Sequence, residues 1–226
     1  MTQSTTINHL FAGGTGHLEP DGHRSGIFKR RITGRIRVES SGIVGDEHAD
    51  PRVHGGPEKA VHHYAEENYG RIAQAFPESA PALVPGSLGE NLSTQTFSGQ
   101  NVHIGDTFLI GDSVVLQVSQ PRRPCWKINH RFGVEGLSMF VARERVTGWY
   151  YRVISPGFIE PGDTMVLVER QTDRFSIDQF WQVQLTHRPS LDDLVALGAV
   201  PGLAPEWQRR MTERVKWLQE RPEQAA

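Results

Sequence analysis

Through residue 170 the chain is cut into short lengths by turn residues, and that pattern limits the fold more than any other. The sequence carries 23 Gly and 14 Pro. Gly105-Asp106-Thr107-Phe108-Leu109-Ile110-Gly111-Asp112-Ser113-Val114 reads as strand, Gly-Asp turn, strand. The β-branched alternation runs on through Val118. Strand character returns from Gly148 to Val153, then turns at Ser155-Pro156-Gly157 and Pro161-Gly162-Asp163 before Met165 to Val168. Short strands divided in this way, with few long helices among them, predict a mainly β chain with some α. A β-barrel with flanking helices fits that description, and a parallel sheet does not.

Other stretches are less regular. Residues 1–24 are polar and glycine-bearing and read as an irregular lead-in with at most one short strand. Ile27-Phe28-Lys29 and Ile32 to Val38 suit short strands, and residues 42–50 read as a loop rich in oxygen and nitrogen ligands. Glu66 to Ala75 has helical spacing in Tyr69, Ile72 and Ala73, and Pro77, Pro81 and Pro85 end it. Lys127 to Arg145 is mixed and mainly helical. After Glu169 the texture changes. Ser176 and Gln179 fit a capping box, and Ser190 with Asp193 repeats the pattern. Pro205 opens a third helix with Trp207, Met211, Val215 and Leu218 on one face. The chain therefore divides into a barrel domain, 1–170, and a small C-terminal three-helix bundle, 171–226.

Composition excludes several classes. A formal net charge of -2 gives no bulk electrostatic case for nucleic-acid binding. No apolar run has membrane-spanning length and no leader pattern opens the chain, so no membrane partner and a cytoplasmic location are expected. The single cysteine excludes an intrachain disulfide and a conventional iron–sulfur cluster. Any redox chemistry here draws its electrons from elsewhere.

That cysteine, Cys125, follows Pro121-Arg122-Arg123-Pro124 and precedes Trp126-Lys127. The alternating run stops at Gln120-Pro121, and the two prolines predict a stiff loop after Ser119. Cationic neighbours favour the thiolate, the nucleophilic and metal-binding form. A buried cysteine acting as a small hydrophobe is the competing reading. His54-Gly55-Gly56-Pro57 lets backbone approach a ligand. If Pro57 opens a helix, Lys59 and His62/His63 follow within about a turn and a half. Such spacing can hold zinc, but a Gly-rich turn leading into a surface helix accounts for it as well.

Seven motifs occur in order: Ser25-Gly26-Ile27-Phe28-Lys29; Gly45-Asp46; Val53-His54-Gly55-Gly56-Pro57-Glu58-Lys59-Ala60-Val61; Gly89-Glu90-Asn91-Leu92; Ser119-Gln120-Pro121-Arg122 with Pro124-Cys125; Gly148-Trp149-Tyr150-Tyr151; and Gly162-Asp163. Together they resemble the MOSC-domain family in its YiiM-type subgroup, over nearly the whole chain. The last helices resemble that subgroup's three-helix appendage.

The resemblance implies a MOSC-type β-barrel that binds molybdenum cofactor (molybdopterin), with Cys125 as the molybdenum ligand. A soft thiolate suits a sulfur-rich metal centre. It also implies cofactor contacts from His54, Gly55, Gly56, Lys59, Asn91 and Arg122, the cofactor's phosphate meeting the glycine N–H groups, Arg122 and Lys59. Cys125, Lys29 and Asn91 would be the catalytic set. Surface lysine and turn asparagine remain the ordinary readings of the last two. The implied activity is reduction of N-hydroxylated compounds, such as hydroxylamino bases, to amines, a detoxification reaction. It would need a small-molecule substrate and a separate electron-donor protein, a flavoprotein reductase; a homodimer is a further possibility. The alternative is a sulfur carrier with a Cys125 persulfide. Sulfurase relatives place a pyridoxal-phosphate domain upstream, which 226 residues do not accommodate, and this favours the reductase. A barrel that only carries the cofactor is the third reading.

Overall fold

The computed structural model describes residues 3–50 and 54–221, so Val53 of the His-Gly-Gly motif and the last residues of the expected helical domain lie outside it. The stretch expected as a lead-in forms four strands instead: β1 (Ser4–Thr6), β2 (His9–Ala12), β3 (Gly16–Leu18) and β4 (His23–Ser25). β5 (Arg30–Ile32), β6 (Ile36–Glu39) and β7 (Gly42–Ile43) follow. A 3-10 turn at Pro57–Lys59 leads into β8 (Val61–Ala65), then α1 (Glu67–Ala75) and a second 3-10 segment at Pro77–Ala82. β9 (Leu92–Thr94), β10 (Thr107–Ile110) and β11 (Val114–Pro121) precede two short helices, α2 (Lys127–Phe132) and α3 (Leu137–Arg143). β12 (Trp149–Ser155), β13 (Gly157–Ile159) and β14 (Thr164–Glu169) complete the strands. Three helices follow, α4 (Ile177–Leu185), α5 (Leu191–Gly198) and α6 (Pro205–Glu220).

Nine strands form one curled sheet in the order β1-β14-β10-β11-β12-β8-β9-β2-β5, a half-barrel left open between β1 and β5. Only β8 and β9 run parallel among its described pairs. The expected hairpin is present: Phe108 faces Leu116 and Ile110 faces Val114 across β10 and β11. Those four side chains are fully buried, each worth about 1.5–3 kcal/mol relative to exposure for residues of their size. One expectation shifts here. Gln120 and Pro121, expected in the stiff loop after Ser119, are the last residues of β11, and Pro121 pairs with Trp149. β10 covers β11 only as far as Gln117, so Pro121 has one neighbouring strand and its missing N–H costs no ladder bond.

The C-terminal helices begin as their caps predict. Ser176 and Gln179 make the full capping box, Ser190 accepts from the Asp193 N–H, and Pro205 sits in the first turn of α6. Their apolar stripes pack directly onto the barrel. A single buried cluster runs from Phe108, Trp149 and Tyr151 to Phe180, Trp181, Leu197 and Trp207. The Trp181 indole N–H donates to Thr147 Oγ1 at 2.8 Å, and the Ala204 N–H donates to Ser119 O at 2.8 Å. A second apolar cluster, including Ile27, Tyr64, Leu88 and Ile128, lies behind the loops that carry the candidate site.

Candidate active site

The site begins with a slip in the β11–β12 register. Val118 faces Tyr151 and Gln120 faces Tyr150, leaving Ser119 as an extra residue on β11. Its hydroxyl reaches the carbonyls of Glu58 and Tyr150, while its own carbonyl takes the Ala204 N–H. The bulge thus ties the 3-10 turn, β12 and the start of α6 to one point. Gly148 stands where a Cβ would lie 2.3 Å from His63 O, so only glycine lets the strands close there. The Arg122 N–H then donates to Gly148 O at 2.9 Å, and the chain turns through Pro124 to Cys125. Cys125 is half-buried, and its carbonyl accepts the Ile128 N–H at 3.0 Å as α2 opens.

Cys125 lines one cleft together with Lys29, His54, Asn91 and Arg122. Five of the eight residues expected at the site therefore meet. Gly55, Gly56 and Lys59 are not among the residues that line this cleft. Gly55 and Gly56 have φ of 135° and 86°, backbone that favours glycine, and a Cβ on Gly55 would press the His48 ring at 3.3 Å. Lys59 lines a neighbouring cleft instead, together with Arg123.

Lys29 and Asn91 are not the surface lysine and turn asparagine of the ordinary readings. The Lys29 ammonium donates to Asp46 Oδ1, and both side chains are nearly sealed, at 4% and 3% exposure. Asn91 Nδ2 donates to Asp46 Oδ2 at 2.9 Å and to Phe11 O at 3.1 Å, while its Oδ1 accepts the His62 N–H at 2.9 Å. The Gly13 N–H donates to Asp46 as well, at 3.0 Å. Asp46 is thus the centre of the network. In the sequence it stands only as part of the Gly45-Asp46 motif, with no role of its own. Its signal was the Gly45-Asp46 pair in an otherwise polar loop. Burial lowers the pKa of Lys29, against the opposing pull of Asp46.

The expectation of a helix through Lys59 and His62/His63 fails. Pro57 opens only a 3-10 turn, and the two histidines stand in β8, paired with β12 as Trp149↔His63 and Tyr150↔His62. A strand sends successive side chains to opposite faces. His62 lines the cleft beside Tyr150, with Nδ1 3.2 Å from Gly89 O and no partner for its buried Nε2. His63 points into the core between Tyr151 and Thr94, at 2.9 Å from each hydroxyl. Among the described residues no three His, Cys, Asp or Glu side chains gather as a metal site. Burial, then Arg122 and Lys127, depress His54 to about 4, and burial holds His62 and His48 low as well. The imidazoles of the cleft are therefore neutral at neutral pH, and its positive charge comes from Arg122, Lys127 and Lys29.

No helix among the described residues is long and apolar enough to cross a membrane. A family model described as "MOSC domain" matches residues 50–166. The chain is 36% identical over 203 residues to "Protein YiiM" of Escherichia coli (strain K12), covering 88% of this chain and 89% of that protein. It is 37% identical over 177 residues to a protein of Gibberella moniliformis named "Reductase", covering 78% of this chain but 31% of that one. The crystal structure of YiiM from Escherichia coli superposes with a TM-score of 0.79 at 29% identity, over 94% of this chain and 93% of that one. With its half-barrel, its cysteine loop and its appended helices, the chain belongs to the MOSC-domain family, among its YiiM-like members.

Proposed function

We propose that this chain is a molybdenum cofactor-dependent oxidoreductase that reduces N-hydroxylated compounds to amines, with Cys125 as the protein ligand to molybdenum. One observation carries the reading: the half-buried Cys125 thiol opens onto the same cleft as the sealed Lys29–Asp46–Asn91 network. The residues present suit the cofactor. A soft sulfur ligand stands beside two cations, Arg122 and Lys127, that match an anionic pterin phosphate. When bound, the cofactor would supply two-electron redox chemistry.

The chain supplies orientation and protons. Reduction of a hydroxylamino group to an amine takes two electrons and two protons and releases water. The electrons come from a separate donor, a flavoprotein reductase in our reading. Burial makes the Lys29 ammonium a readier proton donor than a surface lysine, and Asp46 keeps it charged and aimed. Asn91, with both amide hydrogens committed, positions Asp46. Neutral His54 flanks the space without adding charge, and Tyr150 lines it as well.

The test is Cys125→Ser. The half-buried loop position tolerates the swap, but a hydroxyl is a hard ligand that stays protonated. Amine production should fall by at least a hundredfold with the melting temperature nearly unchanged, and molybdenum bound per chain, by elemental analysis, should drop. Full activity in the serine variant would remove Cys125 from the mechanism. Persulfide on Cys125 with sulfur transfer, and no amine under any reductant, would replace the reductase with a sulfur carrier.

A further inference from the structure

A second cleft opens beside the first and shares His54 and Tyr150 with it. Its cavity volume is about 280 Å³, at the lower edge of the ~300–1,000 Å³ usual for small-molecule sites. One wall is the loop that carries Cys125, and the other is the start of α6. Lys59, Arg123 and Arg210 line it against a single carboxylate, Glu206. Three cations in one cleft of a chain whose net charge is -2 are a local arrangement, not a consequence of composition.

The cations differ in what holds them. Arg210 donates to Glu206 Oε1 at 2.6 Å and stacks over the Trp207 ring at 5.0 Å, so its guanidinium is fixed in place. Arg123 is exposed, and among the described residues its guanidinium is committed to no carboxylate. Planar guanidinium groups match phosphate oxygens two at a time. Position matters too. The Ala204–Ser119 hydrogen bond anchors the start of α6 to the bulge that also launches the cysteine loop. That bond ties the two clefts together, and Tyr150 lines both of them.

We propose that the second cleft holds the phosphate of the substrate, so that the compounds presented to Cys125 are N-hydroxylated nucleotides in preference to free bases. This rests on the reading of the first cleft as the reaction site. The base lies against Tyr150 and the phosphate reaches Arg123, with Arg210 and Lys59 adding charge.

Equilibrium binding tests the cleft apart from catalysis. The full chain, with and without cofactor, is titrated calorimetrically with adenosine monophosphate, adenosine and inorganic phosphate. The monophosphate should bind at least tenfold more tightly than adenosine, and phosphate should compete with it. Arg123→Glu, at an exposed position, should abolish that preference, and Arg210→Gln should weaken it, while Cys125→Ser keeps it. With loaded enzyme, kcat/KM should favour a hydroxylaminopurine ribonucleoside monophosphate over the free base by tenfold or more, and Arg123→Glu should lower only the former. Equal binding of nucleoside and nucleotide, or a preference that survives Arg123→Glu, overturns the proposal. So does monophosphate binding confined to cofactor-free protein, because the cleft would then belong to the cofactor's own phosphate. An Arg123-dependent preference with no amine from either substrate supports the phosphate site and counts against the reductase reading instead.

Discussion

Asp46 makes clearest how the site depends on single residues. Its carboxylate is sealed, yet it accepts from Lys29, Asn91 and the Gly13 backbone. A buried carboxylate that accepts from that many donors is fully satisfied, and it makes a buried ammonium tolerable beside it. Asp46→Asn leaves Lys29 charged and unpaired in a dry place, which costs about 3–5 kcal/mol. Asp46 raises the Lys29 pKa against burial, so without it the ammonium deprotonates at lower pH. The alkaline limb of the pH–activity profile should therefore move to lower pH, and urea unfolding should show the stability loss. Lys29→Met combined with Asp46→Asn should recover most of the stability and none of the activity. An unchanged alkaline limb in Asp46→Asn would take the proton-donor role away from Lys29.

Elements differed in how far the sequence revealed them, and the difference follows the range of the forces that make them. Helices α4 to α6 were legible because caps at Ser176, Ser190 and Pro205 act within a turn. The β10–β11 hairpin was legible for the same local reason. β1 was not: three polar residues become a strand only because β14 lies beside them, Ser4 against Val166. β8 was misread because Pro57 and Lys59 favour a helical start, and pairing with β12 overrides that preference. At the site, chemistry-bearing residue types marked Cys125 and Lys29, whereas the Asp46 hub and the pairing of Tyr150 with His62 depend on how distant segments meet. The helices carry a structural prediction of their own. Phe180, Trp181, Trp207 and Met211 are buried in the same cluster as the barrel interior. A chain ending at Arg170 loses that cover, several side chains worth about 1.5–3 kcal/mol each. It should melt far below the full chain and bind a hydrophobic dye. A truncated monomer with unchanged melting temperature would show that the barrel closes its own core.

At the scale of the whole molecule the open question is the source of electrons. The one cysteine is already assigned to the cleft, so this chain has no thiolates left for an iron–sulfur relay. A nicotinamide or flavin dinucleotide needs a strand, a glycine-rich turn and a helix whose N-terminus meets the pyrophosphate. The described fold has one candidate unit, β8 followed by α1 and the parallel β9. Its turn is Glu66-Glu67, where carboxylates stand in place of glycines and repel a pyrophosphate. The other described neighbours in the main sheet are antiparallel and form no such unit. The isolated, metal-loaded chain given NADH or NADPH and an N-hydroxylated substrate should therefore make almost no amine. Dithionite, or an added flavoprotein reductase, should restore turnover, and Cys125→Ser should respond to neither. The measurement is steady-state amine formation under each reductant. Rapid turnover driven by NADPH alone would mean that the chain holds a nucleotide site outside the strand–helix unit at β8, and the separate donor would drop out of the account.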